Sequence, residues 1–150
     1  MDRIDRNILL SLQEKGRLTL AEIADRVRLS VSSSHRRLRA LETSGAISGY
    51  RAVINPSAVG LDFEALVFVT MRNGEKASLT AFEAEVAKLP DVVSAQRLFG
   101  EPDYLLRILV ADLGAFQRLY DESLAGLPGV GNLRSTLVMR TVVEDRGVPL

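Results

Sequence analysis

Apolar residues recur at helical spacing through the first third of the chain. Ile4, Ile8, Leu9 and Leu12 make one stripe, with Asp2 or Asp5 suited to start a helix and Gly16 suited to end it. Leu20, Ile23, Ala24 and Val27 make a second, preceded by Thr19 with Glu22 three residues on, the signature of a capping box. In a third segment Val31, Leu38 and Leu41 share a stripe with the small Ser34, Ser30 serves as N-cap and Gly45 as C-cap. At about 100° per residue this helix turns Ser32, Ser33, Arg36 and Arg39 away from its apolar back and leaves His35 and Arg37 on the flanks. Three short helices, the last two joined by a tight turn at Arg28-Leu29, predict a helix-turn-helix. Ile47 to Ile54 reads as two short extended pieces around Gly49, a candidate wing.

Asn55-Pro56 breaks the pattern and Ser57 to Gly60 reads as a connector. The periodicity then changes. Leu66 to Met71, Val92 to Phe99, Tyr104 to Ala111 and Leu133 to Val143 are runs of strand-forming residues. Leu79, Phe82, Val86 and Leu89 mark a helix between the first two runs, closed by Pro90. Leu113, Phe116, Leu119, Tyr120, Leu124 and Leu127 mark another between the last two. Leu89-Pro90-Asp91-Val92 and Leu127-Pro128-Gly129-Val130 punctuate the two halves alike, a faint internal repeat. The order βαββαβ predicts a ferredoxin-like sandwich with an antiparallel sheet. The fold class is therefore α+β, with residues 1–54 as a winged helix-turn-helix, 55–60 as linker and 61–150 as the sandwich. Two strands, at Leu66–Val69 and at Leu105-Leu106 with Ile108-Leu109-Val110, are apolar on both alternating faces, where a sheet with one wet face alternates with polar residues. A partner sheet, most simply from a second copy, is expected to cover the face that the helices leave open.

Charge sharpens this division. The chain is formally neutral, yet residues 1–55 hold ten Arg/Lys against six Asp/Glu, and the remainder holds nine against thirteen. A basic amino-terminal part beside an acidic remainder points to a polyanion partner for the first part alone. The chain has no cysteine and therefore no disulfide framework or thiolate metal site. No apolar run approaches the roughly 18–20 residues of a membrane span, and the charged start, MDRIDRN, lacks the apolar core of a signal peptide. The expected location is cytoplasmic.

The chemistry expected of the third helix is recognition. Arg36 is best placed to fork onto guanine O6 and N7, and Ser32 and Ser33 suit phosphates or base edges near the helix start. Arg37, Arg39 and Arg51 are expected on backbone phosphates. His35, the single histidine, lies among three serines but has no orienting acid and no cleft to make it catalytic. With no HExxH, Gly-rich phosphate loop or paired-carboxylate signal, neither an enzyme, a cofactor nor a metal site is expected.

The residues also carry a family likeness. Asp5-Arg6-Asn7-Ile8-Leu9, Gly16-Arg17, Glu22-Ile23-Ala24, Leu29-Ser30, Arg37-Leu38 with Leu41-Glu42, and Gly45-Ala46-Ile47 with Gly49-Tyr50 stand in order in the first part. Leu89-Pro90-x-Val92, Gly100-x-x-Asp103-Tyr104-Leu105-Leu106 and Leu127-Pro128-Gly129-Val130 follow in the second. In this order and spacing the chain resembles the Lrp/AsnC (feast/famine) transcription regulators from end to end. The resemblance implies operator binding through the helix-turn-helix, on half-sites roughly 34–36 Å apart. It also implies a second domain that dimerises and binds an amino acid, with dimers joining into octamers. The effector site it implies lies near the Gly-x-x-Asp turn, at Phe99, Gly100, Glu101, Asp103 and Tyr104, with Ser135 and Thr136 of the last strand. The amino-acid carboxylate is expected on free N–H groups at Gly100 and its ammonium on Asp103. Departures from the family pattern fall at Val31 (often proline), Ser34 (usually valine), Phe99 (commonly threonine), Leu133 (often polar) and Val143 (commonly lysine). Two other readings fit the same residues: a constitutive architectural DNA binder without effector, and an amino-acid-binding sensory or assembly protein.

Overall fold

The computed structural model describes residues 1–144 and 146–150. The chain divides into two compact units, Met1–Val53 with Val142–Leu150, and Ile54–Thr141. The C-terminal stretch, assigned from sequence to the second domain, thus groups with the first unit. There the Gln13 side-chain amide donates to the Val148 carbonyl at 3.2 Å.

The first unit contains helices α1 (Arg3–Glu14), α2 (Leu20–Val27) and α3 (Val31–Thr43). Each amphipathic helix turns its stripe inward, and Ile8, Leu9, Ile23, Val27 and Leu41 form the shared core, with Ile4, Leu12, Leu18, Leu29, Leu38 and Ile47 packed against it. Val31 departs from the expected stripe: at the first position of α3 it lies before the helix meets the core, and it is half exposed. The candidate wing is not a ladder. Among the described residues no strand occurs from Ile47 to Asn55, and the segment runs as irregular backbone to a short 3₁₀ turn at Pro56–Val59.

The second unit follows the order β1 (Phe63–Met71), α4 (Lys76–Val86), β2 (Val92–Arg97), β3 (Tyr104–Val110), α5 (Leu113–Glu122), a 3₁₀ turn at Leu124–Gly126, and β4 (Val130–Leu137). The sheet order is β2-β3-β1-β4, antiparallel throughout. This is the ferredoxin-like α+β arrangement. The last strand begins three residues earlier than expected and stops at Leu137, because the pairing partner β1 has run out by Phe63. Helix α4 ends at Val86, a turn before Pro90.

Side chains of a strand alternate between faces, and burial here alternates accordingly. Ala65, Val67, Val69 and Met71 of β1 and Tyr104, Leu106, Ile108 and Val110 of β3 are buried with Leu79, Phe82 and Val86 of α4 and Phe116 of α5. The intervening Leu66, Phe68, Leu105 and Leu109 are only partly covered and form an apolar centre on the other face. Polar groups frame that centre: Arg107 pairs with Glu64 at 2.7 Å, and the Arg134 guanidinium lies 4.9 Å above the Phe68 ring. Among the described residues no helix is long and apolar enough to cross a membrane.

Candidate functional site

The first unit is registered by its caps. Asp2 Oδ1 accepts the Asp5 N–H at 2.9 Å and Asp5 Oδ2 accepts the Asp2 N–H at 3.0 Å, so α1 starts on a reciprocal box. Thr19 and Glu22 repeat it for α2: Thr19 Oγ1 accepts the Glu22 N–H at 3.2 Å and Glu22 Oε2 the Thr19 N–H at 2.7 Å. The Thr19 backbone bond, then its hydroxyl and Lys15, hold the Glu22 carboxyl down at about 2. Helix α2 closes on Arg28 in the left-handed region (φ 55°), whose N–H returns to the Ala24 and Asp25 carbonyls. That residue compresses the link to α3 into a tight turn, and Ser30 caps α3 by accepting the Ser33 N–H at 3.2 Å.

The exposed side of α3 carries Ser32, His35, Arg36 and Arg39. Arg36 and His35 have no hydrogen-bond or ion-pair partner among the described residues, and Arg39 stands 3.9 Å from Glu42 with 72% of its side chain exposed. Ser33 is half-buried and its hydroxyl accepts from Ser30, so it supports the helix start more than the open face. Ser32 Oγ lies 3.1 Å from Ser30 Oγ. Arg51 follows Tyr50 in the irregular segment and is exposed. The Tyr50 hydroxyl donates to Glu42 at 3.1 Å, tying that segment to α3; partial burial and then Glu42 raise the Tyr50 pKa.

Arg37 is placed differently. Its Nη1 donates to Asp2 Oδ2 and Asp5 Oδ1, both at 2.7 Å, and only 29% of its side chain is exposed. Asp5 and then Asp2 raise its pKa further above an already high value. The Asp5 N–H and then Arg37 hold the Asp2 carboxyl below its usual range. Ser34, expected to be a filler, is fully buried, and its Oγ has no partner among the described residues.

In the second unit the β2–β3 hairpin is closed by the Leu98 N–H on the Asp103 carbonyl at 2.7 Å. Asp103 also anchors the hairpin to β1: its N–H donates to the Val69 carbonyl at 2.9 Å and its Oδ2 accepts the Met71 N–H at 2.7 Å. One carboxylate oxygen is therefore already engaged by the fold, which the sequence did not reveal. At the tip Phe99 is fully in solvent, Glu101 is exposed, and Gly100 has φ 135°. Tyr104 is not at the surface. It is 2% exposed, its hydroxyl donates to Glu83 Oε1 at 2.7 Å, and burial, then Glu83, push its pKa up to about 12. It borders a cleft of about 320 Å³ between α4 and β2, with Phe82, Val86, Val92, Ala95 and Arg97.

Ser135 and Thr136 are exposed on β4, opposite Val67 and Leu66, so their side chains point to opposite faces of the sheet. Strand β4 is separated from the hairpin strand β3 by β1, two strand spacings or about 10 Å. Within one chain these two residues are not neighbours of the Phe99–Asp103 tip.

Residues 1–48 match the model for a winged helix-turn-helix DNA-binding domain, and residues 64–148 match the Lrp/AsnC ligand binding domain. A leucine-responsive regulatory protein of Rhizobium meliloti is 40% identical over 144 residues, covering 96% of this chain and 92% of that one. A transcriptional regulator of Neisseria meningitidis, solved with L-methionine, superposes with a TM-score of 0.94 at 37% identity, covering 99% and 96% of the two chains. The feast or famine regulatory protein of M. tuberculosis, also complexed with L-methionine, superposes with a TM-score of 0.88 at 35% identity, covering 98% and 97%.

Proposed function

The chain belongs to the Lrp/AsnC family of transcription regulators, and from that premise we propose that it reads operator DNA with the exposed side of α3 and answers to an amino acid bound by its second unit. The observation that carries the first part is the set of exposed polar side chains on one side of α3: Ser32, His35, Arg36 and Arg39, of which Arg36 and His35 have no partner among the described residues and Arg39 keeps only a long ion pair with Glu42. Arg36 takes a guanine edge, Ser32 and Arg39 take phosphates or base edges beside it, and Arg51 adds a phosphate contact. Arg36→Ala is expected to reduce discrimination between operator and random duplex by about 1–3 kcal/mol. Gel shifts at fixed salt measure that ratio, and an unchanged ratio rejects the role.

Residues 1–54 act as the DNA-binding part, 55–60 as linker and the sheet domain as the assembly and effector part. A dimer formed through the open sheet face covers Leu66, Phe68, Leu105 and Leu109, and dimers associate further toward the octamer that the family resemblance implies. The effector lies at the Phe99–Asp103 tip, with Gly100 N–H on its carboxylate and the second Asp103 oxygen on its ammonium. Ser135 and Thr136 join that site from another copy. Both solved relatives were complexed with L-methionine, which supports an amino acid as the ligand class. The protein works as a regulator without a catalytic step, in the cytoplasm with its DNA. The decisive experiment is selection from a genomic fragment pool with and without each amino acid, read by sequencing. Enrichment that no amino acid alters supports the second reading, a constitutive DNA binder, which the prior engagement of Asp103 by Met71 also favours.

A further inference from the structure

Arg37 was expected among the phosphate contacts, and its surroundings fit another task. In α3 the buried stripe is centred near Ser34 and Leu41, and at about 100° per residue Ser32, Arg36 and Arg39 fall on the side opposite. Arg37 falls beside the stripe, toward α1. Its Nη1 meets both members of the α1 capping box. Each carboxylate divides its oxygens between two duties: Asp2 uses Oδ1 for the box and Oδ2 for Arg37, and Asp5 uses Oδ2 for the box and Oδ1 for Arg37. All four carboxylate oxygens are thereby committed, and the network closes on one guanidinium nitrogen. Asp5 is only 18% exposed, so the arrangement is partly shielded from the water that weakens surface pairs. Moving Arg37 to a phosphate strips two carboxylates of their partner at once.

We propose that Arg37 is a positioning residue, which locks the middle of α3 to the first turn of α1 and so sets the orientation in which Arg36, Arg39 and Ser32 meet the bases. The proposal rests on the reading of α3 as the helix that faces DNA. A clamp of this kind governs discrimination: base contacts demand orientation within fractions of an ångström, whereas phosphate attraction tolerates tilt. A phosphate-contacting arginine behaves otherwise, supporting all sequences equally and contributing about 0.9 to the slope of log K against log[salt].

The test uses the full chain and two duplexes of equal length: one selected by the wild-type protein from a random pool, and its scrambled counterpart. Binding of each is measured by fluorescence anisotropy across a salt series, with active-site titration to correct for any unfolded fraction. The expected result for Arg37→Gln is a fall of about tenfold or more in the ratio of selected to scrambled affinity, with scrambled affinity and salt slope near wild type. Asp5→Asn breaks the same clamp from the other side while leaving Arg37 present, and it is expected to lower the ratio as well. Loss of stability alone does not move that ratio, and if Arg37→Gln does not fold then Asp5→Asn decides. A salt slope reduced by about 0.9 in Arg37→Gln, with both duplexes weakened equally, makes Arg37 a phosphate contact and overturns the proposal. So does a ratio unchanged in both variants. If Arg36→Ala also leaves the ratio unchanged, the reading of α3 itself has failed, and the positioning role falls with it.

Discussion

Ser34→Ala should stabilise the first unit. The Ser34 backbone is satisfied, its N–H donating to the Ser30 carbonyl at 3.0 Å, but its Oγ is fully buried with no partner among the described residues. A buried polar group left unpaired costs about 1–3 kcal/mol. Alanine is also the better helix former, by about 0.5 kcal/mol. Against these stands the space left by one oxygen, on the order of 10–15 Å³, which costs about 0.3 kcal/mol at about 24 cal/mol per Å³. The sum is a gain of about 1–3 kcal/mol, and a unit of this size shifts its melting temperature by about 4–8 °C per kcal/mol. Hydrogen exchange of peptides covering α2 and α3, followed by mass spectrometry across a urea series, isolates this unit from the sheet domain. A loss of 1 kcal/mol or more would refute the reasoning, because it would mean that the hydroxyl is bonded in solution. DNA affinity should be unchanged, since Ser34 lies on the side of α3 opposite Arg36.

The acid limb of the first unit's stability should follow Glu22 and Asp2. Both carboxyls are depressed in the folded state, so their contribution is complete above the ordinary value, 4.5 for Glu22, and is lost as pH falls toward about 2. Glu22→Gln should flatten that limb in acid titrations followed by circular dichroism. Tyr104 behaves in the opposite sense. Its pKa is raised from 10 to about 12, so its contribution is complete below pH 10 and is lost as pH rises toward 12. Ultraviolet titration of the phenols should show Tyr104 as a late-ionising tyrosine beside Tyr50, which is also raised, and Glu83→Gln should move Tyr104 only partway back toward 10 because burial is the larger cause. Gly129→Ala should destabilise the sheet domain by about 1–3 kcal/mol. Gly129 has φ 73°, and an added Cβ would sit 2.9 Å from Met71 Cε and 3.2 Å from Ser78 Cβ; urea unfolding measures the loss.

Much of the fold is written in local pattern. The three helices could be read because each combines an apolar stripe with a cap, and the caps at Asp2, Thr19 and Ser30 form the bonds that their spacing suggested. The four strands and two helices of the sheet domain could be read because Pro90 and Pro128 punctuate them. Partnership across long separations was not legible. Helical winding left Arg37 on a flank but could not show that Asp2 and Asp5, more than thirty residues earlier, would claim it. Likewise nothing local to Asp103 announces the Met71 N–H, because that bond depends on the β1–β3 register. The winged helix-turn-helix class holds, but the segment around Gly49 forms no strand, because extended-looking residues specify none without a pairing partner. The hydroxyl of Ser34 was visible as small but not as stranded, since burial is a property of the packed helices.

The return of Val142–Leu150 to the first unit has a consequence for how this protein is cut. The compact unit that holds the three helices is discontinuous in sequence, with Ile54–Thr141 lying between its two parts. A fragment ending at the linker would contain all three helices yet lack the segment that gives Gln13 its partner at Val148. A fragment meant to keep that bond has to carry Val142–Leu150 along with the helices.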